Sequence, residues 1–93
     1  MNNSIFFAKV IFEGRVQGVG FRLKVFNIAK GYEVLGFVQN KTDGTVLLNA
    51  TGQRNEVLEF VQEIKRIMAV FIRNTEEDYS DIEISPFKNF DIR

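Results

Sequence analysis

The 93-residue sequence contains no cysteine and no histidine. The first absence excludes disulfides, thiolate metal sites and a cysteine nucleophile. The second removes imidazole acid–base catalysis, phosphohistidine chemistry and most zinc sites. A charge excess of either sign is also missing, since twelve basic residues balance twelve acidic ones. That balance argues against a general binder of nucleic acid or anionic membranes and leaves room only for a local positive pocket. No apolar run reaches the roughly 18–20 residues that span a bilayer. The opening Met1-Asn2-Asn3-Ser4 is polar and lacks the charged and apolar regions of a signal peptide. The expectation is a soluble, cytoplasmic, monomeric protein with a flexible N-terminus over 1–4 and one domain over 5–93. What the chain does have is apolar mass. Hydrophobic residues make up 45% of it, ten of them Phe, which suffices for a core without covalent staples.

Ile5 to Glu13 reads as a strand, with Ala8, Val10 and Phe12 alternating against Phe7, Lys9, Ile11 and Glu13. Gly14 to Gly20 holds three glycines in seven residues and is predicted as a loop. A helix follows from Phe21 to about Lys30, with Val25, Phe26 and Ala29 as its buried stripe and Gly31 as its stop. Val34 to Asn40 and Thr45 to Thr51 read as two further strands. Asp43-Gly44 between them is a strong hairpin signal, because Gly takes a positive φ at little cost. Val46, Leu48 and Ala50 should share one face.

A second helix is marked by Val57, Phe60, Val61, Ile64, Met68, Phe71 and Ile72 at helical spacing, with Asn55 as N-cap, Glu56 in the first turn and Asn74 as the stop. Thr75 to Tyr79 is predicted as an acidic loop, and Ser80 to Ser85 as a fourth strand that Pro86 ends. Phe90-Asp91-Ile92 suits a short last strand. The order β-α-β-β-α-β is that of an α+β, ferredoxin-like sandwich: an antiparallel sheet with two helices on one face. Many functions share that topology, so function must come from a site.

The segment Gly14 to Arg22, GRVQGVGFR, leaves a strand and enters a helix. Successive amides there can converge on one point, aided by glycine's conformational freedom and by the helix dipole. Arg22, in the first helical turn, carries a planar guanidinium that matches two phosphate oxygens. Together these suggest a phosphate cradle with an arginine clamp. A glycine-rich turn that merely joins strand to helix is the plainer alternative. No Gly-Lys-Ser/Thr ending is present, so this is not a Walker A loop. Leu23 stands where a dinucleotide fingerprint would place its third Gly.

GRVQGVGFR resembles the first signature of the acylphosphatase family. The second signature of that family is a Gly-aromatic-Val-x-Asn run, three residues, Gly, one residue, Val, five residues and Gly. Here it stands as Gly36-Phe37-Val38-Gln39-Asn40, then Gly44, Val46 and Gly52, with every spacing kept. The resemblance is clear from about Val10 to Gly52, and chain length and element order agree beyond it. It implies a ferredoxin-like acylphosphatase, a hydrolase that splits the carboxyl–phosphate anhydride of acyl phosphates without a metal or other cofactor. By the same resemblance, Arg22 and Asn40 are the catalytic residues. Arg22 binds the phosphate with backbone help from Arg15, Val16, Gln17, Gly18, Val19, Gly20 and Phe21, while Asn40 orients the attacking water. The implied partners are a small acyl phosphate and phosphate or sulfate as product-like ligands, with no nucleic acid and no membrane. Two departures stand out. Glu33 occupies a position where the family usually has Gly, and no Gly-Pro break follows the second helix.

The chemistry suits a chain without His or Cys. An acyl phosphate expels a carboxylate whose conjugate-acid pKa is about 4, so no proton donor is needed. The remaining work is to neutralise phosphoryl oxygens and hold a water in line. Asn40, with a donor and an acceptor, can position but not deprotonate; beside Asp43-Gly44 it could equally be a turn-former. Two rivals remain. RNA-recognition domains share the element order, but their aromatic motif belongs on the third strand, which here has no aromatic. A related domain, of the kind found at the start of carbamoyl-transfer maturation proteins, could bind a phosphorylated ligand without turnover. The chain ending where the domain ends favours the free-standing enzyme.

Overall fold

Alternation decides the first element. In the computed structural model, which describes residues 4–93, strand β1 (Ile5–Gly14) turns Phe6, Ala8, Val10 and Phe12 into the core. The expected flexible segment 1–4 lies outside the described residues apart from Ser4. Helix α1 (Phe21–Ala29) follows, then β2 (Val34–Asn40), β3 (Val46–Gly52), helix α2 (Arg54–Ile67), β4 (Ile72–Ile82) and β5 (Phe90–Ile92). The sheet order is β4-β1-β3-β2-β5, antiparallel throughout except that β5 lies parallel to β2. Both helices pack on one face, giving the expected ferredoxin-like α+β sandwich. Val46, Leu48 and Ala50 do share the inner face, and all three are fully buried beneath α2's Val57, Phe60, Val61 and Ile64.

The hairpin forms where Asp43-Gly44 predicts it. Gly44 takes a φ of +91°, Lys41 N–H donates to the Thr45 carbonyl at 2.9 Å, and Asp43 accepts from both the Thr45 hydroxyl and its N–H. The first helix ends at Ala29, as Gly31 suggests, but through short-range bonds rather than a left-handed glycine. Gly31 N–H donates to Ile28 and Tyr32 N–H to Ala29, each at 3.0 Å. The buried stripe of α1 is Phe21, Val25 and Ala29. Phe26, expected in it, lies one position round the helix and is half-buried, with Lys30 over its ring.

The second half corrects four expectations. Helix α2 starts at Arg54 after Gln53, so Asn55 is inside it and caps nothing. It stops at Ile67, well before Asn74, because a tight turn intervenes: Phe71 N–H donates to Met68 and Ile72 N–H to Ala69. Phe71 and Ile72 still pack on the core, but from a turn and a strand. Thr75 to Tyr79 is not a loop. It is the middle of β4, paired with β1 from Ile5↔Ile82 to Gly14↔Ile72. That long ladder satisfies a whole row of β1 backbone groups, which outweighs the poor strand propensity of acidic residues. An edge strand also tolerates, and benefits from, exposed charge. The strand ends at Ile82, so Ile84 and Ser85, expected within it, lie in the crossing to β5.

Candidate active site

The loop between β1 and α1 is held by Val16, Val19 and Phe21. Val16 is fully buried, Phe21 is 2% exposed and stacks obliquely on Phe12, and Val19 packs half-buried against the core. Gln17 points elsewhere: its Nε2 donates to the Lys41 and Thr45 carbonyls, each at 2.8 Å. The loop is thus tied to the β2–β3 hairpin. Gly18 and Gly20 have φ of +76° and +77°, where an L side chain is strained, although a Cβ on either would meet nothing within 4 Å. These turns aim the backbone rather than fill space. Gly20 is also the N-cap of α1 and brings no side chain to the helix start. The amides of residues 16–20 have no acceptor among the described residues. That of Phe21 is free by helix geometry. Arg15 differs from expectation: beyond the irregularity between Glu13 and Gly14, its N–H is committed to the Phe71 carbonyl at 2.9 Å.

Val16, Gly18 and Gly20 of this loop line a pocket of about 210 Å³, together with Phe21, Arg22, Leu23, Asn40 and Ile92. The two motifs therefore meet in space. Arg22 enters from the first turn of α1, and its Nη1 donates to the main-chain oxygen of Arg93 at 2.9 Å. It forms no ion pair with a side-chain carboxylate among the described residues, where the pairs are Lys65–Glu77 and Arg66–Glu63. Asn40 enters from the end of β2, opposite Val46. Its Oδ1 is buried, and no group among the described residues donates to it. Asn49 Oδ1 is buried and unpaired in the same way, but of the two only Asn40 lines the pocket, where a small polar molecule could donate to it.

Of the residues singled out in the sequence, the structure brings Arg22, Asn40, Val16, Gly18, Gly20 and Phe21 to one pocket. The sequence does not reveal the Gln17 tie, since a side chain bonding to a carbonyl 24 or 28 residues away leaves no local pattern. Nor does it reveal that Ile92 completes the pocket, which depends on β5 adding to β2 beside α1. At the Glu33 departure it is the backbone N–H that donates to Glu56 Oε1 of α2, at 2.8 Å, a bond that a Gly there would make equally. No cluster of three or more His, Cys, Asp or Glu suited to a metal occurs among the described residues, and no helix there is long and apolar enough to cross a membrane.

Comparison with known proteins agrees with the geometry. The acylphosphatase family model matches residues 8–92. A protein named acylphosphatase from Ligilactobacillus salivarius is 36% identical over 84 residues, covering 90% of this chain and 93% of that one. One from Thermotoga maritima is 39% identical, covering 82% of this chain and 92% of that one. The crystal structure of acylphosphatase from Bacillus subtilis superposes with a TM-score of 0.76 at 28% identity, covering 95% and 98% of the two chains. A full-length HypF structure in a phosphate- and nucleotide-bound form gives 0.80 at 31% identity over 96% of this chain, but only 12% of HypF. With a match that spans both halves of the pocket, and relatives of nearly the same extent, the chain belongs to the acylphosphatase family.

Proposed function

We propose that the pocket hydrolyses acyl phosphates to a carboxylate and inorganic phosphate, without a metal. Arg22 and the amides of residues 16–21 bind the phosphoryl oxygens, and Asn40 orients the water. The observation that carries this reading is the convergence of three groups on one pocket: a guanidinium with no side-chain carboxylate, a row of unbonded amides, and the buried unpaired Oδ1 of Asn40.

Each group has one task. The amides and the α1 dipole supply fixed positive potential where charge gathers on phosphorus-bound oxygens, and Arg22 adds a bidentate, fully charged donor. Asn40 Oδ1 accepts one water proton and so aims a lone pair at phosphorus. A bond forms from the water oxygen to phosphorus while the bond from phosphorus to the acyl oxygen breaks. The electron pair leaves with the carboxylate, and the water's proton passes to a phosphate oxygen. Because the carboxylate is stable as an anion, the pocket needs no proton donor, and it contains none besides Arg22 and neutral amides.

The test is hydrolysis of benzoyl phosphate in excess chelator, beside an alkyl phosphate. Turnover of the first should survive chelation, with no labelled phosphoenzyme on quenching. The second, whose alkoxide has a conjugate-acid pKa of about 15–16, comparable to water, should be nearly inert. Activity lost to chelator and restored by a divalent metal would overturn metal independence. Tight phosphate binding without turnover would favour a ligand-binding domain instead.

A further inference from the structure

Six large hydrophobic side chains among the described residues are left exposed: Leu23, Ile67, Val70, Tyr79, Ile84 and Ile92. A single exposed leucine needs no explanation. Two of the six, however, line the same pocket as Arg22 and Asn40, namely Leu23 at 58% exposure and Ile92 at 41%. They come from different elements, α1 and β5, which pack side by side. Each is also the chain neighbour of a partner in the Arg22–Arg93 contact, so the apolar pair stands beside the guanidinium that would hold the phosphate. The lining contains one charged side chain, Arg22, and the phosphate uses it.

On the reading of the site as an acyl phosphate hydrolase, we propose that Leu23 and Ile92 form the acyl subsite, which favours substrates with an apolar acyl group. The phosphate of the substrate is fixed by the cradle, so its acyl group must project over the rim of the pocket. An aromatic or aliphatic acyl group covers Leu23 and Ile92 and removes their apolar surface from water. A methyl group is too small to cover both. An acyl group bearing a second carboxylate finds no second cation in the lining and stays hydrated.

The experiment compares kcat/KM for benzoyl, acetyl and succinyl phosphate in the natural protein and in Leu23→Asn, Ile92→Asn and Ile84→Asn, with folding checked by circular dichroism. Benzoyl phosphate should be the best substrate. Each of the first two substitutions should lower the benzoyl-to-acetyl ratio about five- to tenfold, the effect of leaving some 40–60 Å² of apolar surface uncovered. Inhibition by inorganic phosphate, which has no acyl group, should hold. Ile84 is 81% exposed and outside the pocket, so Ile84→Asn should leave the ratio unchanged. Leu23→Lys should raise succinyl over acetyl phosphate by supplying the missing cation. A natural ratio near one, or one that neither pocket substitution moves, overturns the subsite while the hydrolase reading stands. Failure to hydrolyse any acyl phosphate overturns both.

Discussion

Each helix sends one cation toward an edge of the sheet, and the two end differently. Lys65 of α2 meets Glu77 of the β4 edge at 2.8 Å, and the same carboxylate accepts from Thr75 Oγ1 at 2.7 Å and Tyr79 Oη at 2.6 Å. Arg22 of α1 reaches the β5 edge and finds the main-chain oxygen of Arg93, but no side-chain carboxylate among the described residues. One cation is consumed by the fold and ties an edge strand to a helix. The other, with five N–H donors, makes one hydrogen bond among the described residues, to a main-chain oxygen. A cation supplied with a full set of acceptors is structural, whereas one that shares a pocket with Val16, Gly18, Gly20 and Phe21, and with no carboxylate, suits the anion site proposed above.

The sharpest way to break the contrast is to remove the open cation. Arg22→Ala should fold and lose about 10²–10⁴ in kcat/KM on benzoyl phosphate, for two charge-assisted hydrogen bonds of about 1.5–3 kcal/mol each. Arg22→Lys should recover little, since it keeps charge without the fork. Near-normal rates for Arg22→Ala would remove this residue from the site, and Lys65→Met should leave the rate alone. Asn40→Ala should lower kcat about a hundredfold, the scale set by a misplaced reacting group, while inhibition by phosphate changes little. An equal loss in both would assign Asn40 to binding.

Smaller effects sharpen the comparison. Gln17→Ala unties the loop from the hairpin and should lower kcat about tenfold or less, with about 1 kcal/mol of stability. A stability loss with no change in rate would make Gln17 a structural tie only. The closed cation should show itself in acid. Burial pushes the Glu77 carboxyl up, but the hydrogen bonds from Lys65, Tyr79 and Thr75, with the charge of Lys65, hold it down at about 2 against an ordinary 4.5. A carboxyl depressed on folding stabilises the protein above its unfolded value and loses that contribution as pH falls through its folded one. The unfolding free energy should therefore fall between pH 4.5 and 2 by an amount on the order of 2–3 kcal/mol from this group, and Glu77→Gln should flatten that part of the curve without altering turnover at pH 7. An unchanged acid profile in Glu77→Gln would leave Glu77 without the stabilising role.

The same contrast explains what the sequence could tell. Around Arg22 the cues are local. The alternation of Ala8, Val10 and Phe12, the glycines of the loop, and Asp43-Gly44 each fix a backbone shape by themselves, and the two signatures then meet at the ends of adjacent elements. Around Lys65 the cues mislead. Met68, Phe71 and Ile72 repeat at helical spacing because all three touch the core, yet the last two do so from a turn and a strand. Thr75 to Tyr79 looks like an acidic loop until β1 provides the partner that makes it a strand with Thr75, Glu77 and Tyr79 joined on one face. Gln17, Arg15 and Ile92 were illegible for one reason: their roles depend on which distant carbonyl or strand lies beside them.

The most direct test of the two cations is a titration of the protein with inorganic phosphate, followed residue by residue through backbone amide resonances. Saturable shifts should concentrate on residues 16–22 and Asn40, weaken strongly in Arg22→Ala and persist in Lys65→Met. Shifts centred on α2 and β4, or an unchanged titration in Arg22→Ala, would contradict the assignment of the open cation as the phosphate clamp.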